Sequence, residues 1–210
     1  MRSSVLKSLI LACSIIIASL VAVQLLWLQK QFNFEQKNFS NNIIKSIREV
    51  YIDLPLTNDN QTKLGDHIER IDDNNFIFRV DLPMNKDTLA NVVLKELENF
   101  DVFTDCKMAY YEMSQGKYEY EIYLPAAASQ HPSPSDIDLL PVSKSYSYVH
   151  LFFPNRSYYI LQSLWLRISL SFLLIVALLA LSISLFYLYK QKFLNEIQKD
   201  FINNVTHEFQ

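Results

Sequence analysis

Glycine is almost missing from this chain, with two residues in 210. A glycine-rich loop that cradles phosphate is therefore excluded, as are collagen-like and low-complexity repeats. Cysteine is equally scarce at two, which excludes a disulfide scaffold and a multi-cysteine zinc ribbon. Positive charge is not in surplus either: 19 basic against 22 acidic residues leave a net charge of -3, so no bulk field draws the chain to nucleic acid. What is abundant is apolar and aromatic side chain, 50% hydrophobic with 14 Phe and 12 Tyr, which excludes a disordered tail. The length allows one or two domains.

Charge is distributed unevenly. From Ser8 to Gln29 (SLILACSIIIASLVAVQLLWLQ) and from Ile168 to Tyr189 (ISLSFLLIVALLALSISLFYLY) no residue is charged. Each run has 22 residues, and at about 1.5 Å per residue each crosses a hydrocarbon core of roughly 30 Å. Trp27 ends the first run, and Trp165, Tyr187 and Tyr189 flank the second, where interfacial aromatics are expected. Two membrane helices, 8–29 and 168–189, are predicted. The first exceeds a signal-peptide core and lacks a small-x-small cleavage site, so a retained anchor is preferred to a signal peptide. The stretch Ile10-Leu11-Ala12-Cys13 is only faintly like a lipoprotein site, because the apolar run continues past Cys13.

Arg2 and Lys7 precede the first run, and Lys190, Lys192 and Lys199 follow the second. The positive-inside tendency places both termini, 1–7 and 190–210, in the cytoplasm. Segment 30–167 then lies outside, with 14 basic and 19 acidic residues. Arg167 snorkels toward headgroups at the edge of the second span.

Segment 30–167 is long enough for one core. Phe32, Phe39, Ile43, Ile47 and Val50 recur at helical steps, predicting one helix that continues from the first span until Pro55. A polar, acidic stretch over 57–75 reads as a loop with one helical turn, and FIFRVDLP (76–83) as a short strand. A helix opening at Asp87 carries Leu89, Val92, Val93, Leu97 and Phe100 on one face. Residues 103–113 and 117–124 form a hairpin about Ser114–Gly116, with Tyr118, Tyr120, Ile122 and Leu124 alternating along one face. The run 126–136 is a loop, Ser145–Phe153 a further strand, and 155–163 leads back to the membrane. The expected fold class is α/β (α+β): an antiparallel sheet covered by helices, similar to PAS-like or Cache-like sensor modules, flanked by two transmembrane helices.

After the second span the sequence reads KQKFLNEIQKDFINNVTHEFQ. Phe193, Ile197, Phe201, Val205 and Phe209 recur every four residues, so a cytoplasmic helix continues from the membrane, with His207 outside its apolar arc and Glu208 closer to it. Phe201 to Phe209 (FINNVTHEF) resembles the H-box of bacterial sensor histidine kinases, in which an apolar-rich helix carries Ser/Thr-His-Glu before a hydrophobic residue. Lys199-Asp200-Phe201 and the Asn203-Asn204 pair are similar to Bacteroidetes-type kinases in particular.

The resemblance implies that His207 is the phosphoacceptor, since neutral imidazole offers a nucleophilic nitrogen. It implies Glu208 as the acid/base or as the group orienting the other ring nitrogen. It further implies a homodimer, a response regulator that receives the phosphate on Asp, and ATP with Mg bound by a separate ATP-binding domain. The chain is thus expected to be part of a longer parent, inert alone, with 190–210 the start of a helical dimerisation and phosphoacceptor domain. Seventeen residues separate Tyr189 from His207, too few for a HAMP relay module, so the second span is expected to join the phosphoacceptor helix directly.

Other groupings were weighed. Asp66, His67 and Glu69 with Asp72 and Asp73 offer oxygens and an imidazole to a cation, but without calcium-loop spacing, and a solvated acidic loop is preferred. No metal site is assigned. The tyrosines over 110–123 and 146–148 line a ligand pocket, or belong to the sheet core or a dimer face; core or dimer face is preferred. His131 and His150 read as structural. Cys13 and Cys106 lie too far apart in this topology to pair, leaving at most an intermolecular Cys106 bridge. The stimulus, an unknown periplasmic ligand or protein, is not legible. The competing function is a non-enzymatic membrane-anchored receptor or assembly protein whose cytoplasmic helix merely dimerises; a chemotaxis-type receptor fits less well.

Overall fold

The structure, a computed structural model, describes residues 3–57, 65–82, 84–126 and 139–208; the side chains of residues 1–7, 9, 10, 200, 204 and 206–210 lie outside the described set. Its elements in order are α1 (Ser3–Asp53), β1 (Ile68–Arg70), β2 (Asn75–Arg79), α2 (Lys86–Asn99), β3 (Cys106–Glu112), β4 (Lys117–Leu124), β5 (Tyr148–Phe152) and α3 (Arg156–Glu208). The chain divides into two compact units, Asn33–Ser163 and the pair Met1–Phe32 with Leu164–Gln210.

In the unit Asn33–Ser163, α1 buries Phe39, Ile43, Ile47 and Val50, the stripe that helical spacing predicts. Asn85 caps α2, its side chain accepting from the Asp87 and Thr88 backbone N–H groups at 2.9 and 3.4 Å. The helix closes with Asp101 at φ 58°, a left-handed position usually given to glycine. There the Val102 N–H reaches the Leu97 carbonyl at 2.9 Å and the Asp101 N–H that of Glu98 at 3.1 Å, the paired bonds of a Schellman ending.

The five strands run in the order β1-β2-β5-β3-β4, every pairing antiparallel. The last strand in sequence thus lies in the middle. Because β2 and β3 both oppose β5, they are parallel to each other, and α2 is the crossover that such a pair requires. Register assigns the two faces. Phe76, Leu151, Met108 and Ile122 align across the sheet on one face, with Phe78, Val149, Tyr110 and Tyr120 beside them. Phe78 packs edge-on against Tyr51 of α1, and Phe76 against Phe153, which in turn meets Phe39 of α1. The opposite face carries Ile77, His150, Ala109 and Glu121 in one row. It is covered in part by Val142 and Tyr146, which pack against Ile77, Tyr111 and Tyr148.

Two expectations are corrected. The stretch 57–75 is not a plain loop: after a short helical turn at 65–67 it contributes β1, an edge strand too short and too exposed for an alternation signal. Nor does β4 alternate strictly. Tyr110 pairs with Tyr120 but Tyr111 pairs with Tyr118, so Glu119 is an extra residue and the bulge turns Tyr118 to the face opposite Tyr120. The hairpin itself stands as expected, with Gly116 at φ 65° closing its turn.

In the second unit, the apolar side chains of both helices point outward: Leu11, Ile15 and Leu26 of α1, and Leu173, Leu179 and Phe186 of α3, are exposed. Both helices are long and apolar enough to cross a membrane, and surfaces of this extent on a helix suit lipid rather than water. Gln24 Nε2 donates to Ser171 Oγ at 2.8 Å, joining the two apolar runs. α3 begins at Arg156, before the expected span at 168, so the stretch 156–163 that leads back to the membrane is the first turns of that helix.

Candidate functional site

The face of the sheet turned away from α1 holds a buried polar chain. β5 places His150 at its centre, 4% exposed. Its Nε2 lies 2.7 Å from Asn75 Oδ1 on β2, and its Nδ1 lies 2.7 Å from the Tyr118 hydroxyl on β4. Asn75 Nδ2 donates to Asp72 Oδ2 at 2.8 Å, and Asp72 Oδ1 accepts the backbone N–H groups of Asn74 and Asn75 at 2.7 and 2.9 Å. These contacts assign the protons. The Asn75 oxygen accepts only if Nε2 carries hydrogen, leaving Nδ1 to accept from the Tyr118 O–H. The imidazole is neutral in this arrangement.

Burial is the main reason. It lowers the His150 pKa to about 4, against smaller raising effects of Asp72 and Glu121. Burial also drives the Tyr118 phenol well above its ordinary value. At Asp72 burial raises the pKa, but the hydrogen bonds from Asn75 and Asn74 outweigh it and hold the carboxyl below its usual value. Lys107, buried on the same face, pairs with Glu121 at 2.5 Å.

Over this chain lies a cavity of about 310 Å³ lined by Ile71, Asn75, Leu139, Leu140, Val142, His150 and Phe152. The segment 139–142 forms one wall and is tied to the sheet through Tyr148, whose hydroxyl accepts from the Val142 N–H at 2.8 Å and donates to its carbonyl at 2.9 Å. Sequence reasoning left His150 as structural and passed over Asn75. No local pattern joins residues 75, 118 and 150; only the central place of β5 and the bulge at Glu119 do.

The other expected sites fare differently. His207 and Glu208 fall in the last turn of α3, and their side chains lie outside the described residues. Upstream of them Phe193, Ile197, Phe201 and Val205 form an exposed apolar stripe at four-residue spacing. Asp66, His67, Glu69, Asp72 and Asp73 do not converge: Asp72 closes a turn, Asp73 pairs with Arg70 and Arg156, Glu69 pairs with Lys144, and the His67 ring packs on Tyr51. No group of three metal-binding side chains occurs among the described residues. Tyr111 and Tyr148 are sheet core, stacked with ring centres 4.6 Å apart. Cys106 is buried, and burial drives its thiol well above the ordinary range, so a bridge to a second chain would require the sheet to open. His131 lies outside the described residues.

Over 63 residues, 30% of its length, the chain is 38% identical to Sensor protein RprX of Bacteroides fragilis (strain YCH46), and the match takes in 12% of that relative. No family model and no solved structure matches the chain.

Proposed function

We propose that this chain is the sensing and transmembrane part of a sensor histidine kinase, with segment 30–167 in the periplasm and both termini in the cytoplasm. The observation that carries the reading is α3. One unbroken helix holds the second apolar run and ends on Thr206-His207-Glu208. The partial similarity to a sensor protein and the two lipid-suited helices support it. The exposed stripe from Phe193 to Val205 suits a second copy of the same helix, which makes the working unit a homodimer.

In this reading a lone-pair nitrogen of neutral His207 attacks the γ-phosphorus of ATP. An N–P bond forms, the bond to the bridging oxygen breaks, and ADP leaves. Glu208 takes the proton from the other ring nitrogen. The phosphoryl group then passes to an aspartate of a response regulator, where an O–P bond replaces N–P. Gly65 and Gly116 stand singly, not in the glycine-rich loop that cradles nucleotide phosphates. Nucleotide binding is therefore assigned to a further domain of a longer parent.

The test uses that parent in membranes with γ-labelled ATP. The expected product is an acid-labile, base-stable phosphate that disappears in His207→Gln. An acid-stable label, or one that survives the substitution, would overturn the proposal.

A further inference from the structure

The cavity above His150 belongs to neither the phosphotransfer motif nor the membrane helices. Its size falls at the lower end of small-molecule sites, about 300–1,000 Å³, which are mostly apolar with a few placed polar groups. The walls fit that description, since Ile71, Leu139, Leu140, Val142 and Phe152 are all apolar. The two polar residues, Asn75 and His150, are locked by their own partners.

We propose that this cavity binds a small, uncharged, mainly apolar molecule bearing one hydrogen-bond acceptor, such as an alcohol or ketone oxygen. Three observations fix the class. None of the seven lining residues offers a charge to a ligand, so an ion would be desolvated without a counter-charge. Both His150 nitrogens are occupied, so the imidazole presents its apolar edge and not a donor. Asn75 lines the cavity, and its Nδ2 has two hydrogens of which the contact to Asp72 uses one; the second is assigned to the ligand's acceptor.

The hydrogen-bond chain also tells where occupancy would be felt. The Tyr118 hydroxyl lies 3.3 Å from the Leu140 carbonyl as well as 2.7 Å from His150. A molecule seated against Leu140 and His150 touches both ends of that choice.

The inference stands apart from the kinase reading, because it is tested by binding alone. The chain is labelled with ¹⁵N-histidine in lipid nanodiscs, and the His150 ring signals are assigned through His150→Gln. Acetophenone, a neutral aromatic ketone, is the probe and benzoate its charged counterpart. The expected result is a saturable shift of the His150 signals with acetophenone, and a response to benzoate weaker by about tenfold or more. Ile71→Trp, which fills the cavity from a side chain 39% exposed, and Leu140→Asp, which sets a charge at a side chain 83% exposed, should each abolish the shift. A His150 signal unmoved by acetophenone, an equal response to benzoate, or a shift that persists in both variants would overturn the assignment.

Discussion

Gln24 of α1 donates a hydrogen bond to Ser171 of α3, the latter 4% exposed, within the two charge-free runs. Water does not compete for either group in a hydrocarbon core, so the bond sets the rotational register of one span against the other. Gln24→Leu and Ser171→Ala are expected to be coupled by about 0.6 kcal/mol, with an upper bound near ~2 kcal/mol, in a double-mutant cycle. Unfolding of the reconstituted chain measures this. Strict additivity of the two substitutions would show that the bond is not made in the membrane.

The neutral His150 makes stability depend on pH in a defined direction. Its folded pKa of about 4 lies below the ordinary value of 6.5. The folded state therefore binds fewer protons, and the contribution is complete above pH 6.5 and lost as pH falls toward 4. The full difference amounts to about 3 kcal/mol. The charged groups facing this site are Asp72 from the β1–β2 turn and Glu121 of β4, the latter paired with Lys107. Denaturation midpoints measured across that window should fall in the parent and stay flatter in His150→Gln.

Tyr118→Phe keeps the ring and removes the donor to His150 Nδ1. An unsatisfied buried acceptor costs about 1–3 kcal/mol, so the variant should unfold at correspondingly lower denaturant. Deleting Glu119 tests the bulge itself: it removes the extra residue, sets Tyr118 next to Tyr120 in a regular ladder, and leaves Tyr118 opposite Tyr111 on the His150 face. The His150–Tyr118 contact is expected to survive in the ring ¹⁵N spectrum, and its loss would show that the bulge is needed to place the hydroxyl.

Arg156 is buried at 2% exposure, lies over the Phe39 ring, and meets Asp73 at 3.2 Å, yet its Nε and Nη2 have no hydrogen-bond partner among the described residues. Replacing a whole buried ion pair by apolar side chains is often neutral or stabilising by about 1–4 kcal/mol, and here the remaining partner, Asp73, is exposed and keeps Arg70, so no buried charge is stranded. Arg156→Met should therefore hold or raise the unfolding midpoint. A drop would assign the guanidinium a structural role that its contacts do not reveal.

One alanine inserted after Lys192 turns everything beyond it by about 100° while adding about 1.5 Å. If His207 is the phosphoacceptor as proposed and α3 transmits the signal as a rod, phosphorylation of the parent should lose its normal response to stimulus. Four inserted alanines add about one full turn and should restore much of it. Unchanged signalling in the single insertion would rule out the rod.

Legibility followed the range over which each element is determined. The helices declare themselves locally, through charge-free runs and through Phe39, Ile43, Ile47 and Val50, whose spacing suffices to find their buried face. The hairpin is equally local, marked by Ser114, Gln115 and Gly116. β1 was not legible, because Ile68, Glu69 and Arg70 form an edge that carries no alternation. Most of the His150 site was not legible either: residues 75, 118 and 150 meet through strand order and one extra residue in β4, and neither leaves a periodic trace. The phosphoacceptor reading rests wholly on the sequence motif.

The place of β5 carries a consequence for biosynthesis. The strand that joins β2 to β3 is the last of the five to leave the ribosome, and only three residues separate its end at Phe152 from the start of α3 at Arg156. Until it arrives, the earlier strands exist as two unjoined hairpin-like halves with bare edges. Maturation of the sheet is thereby timed to the emergence of the second apolar helix, so a nascent chain stalled before residue 148 would expose the aggregation-prone edges of β2 and β3 together.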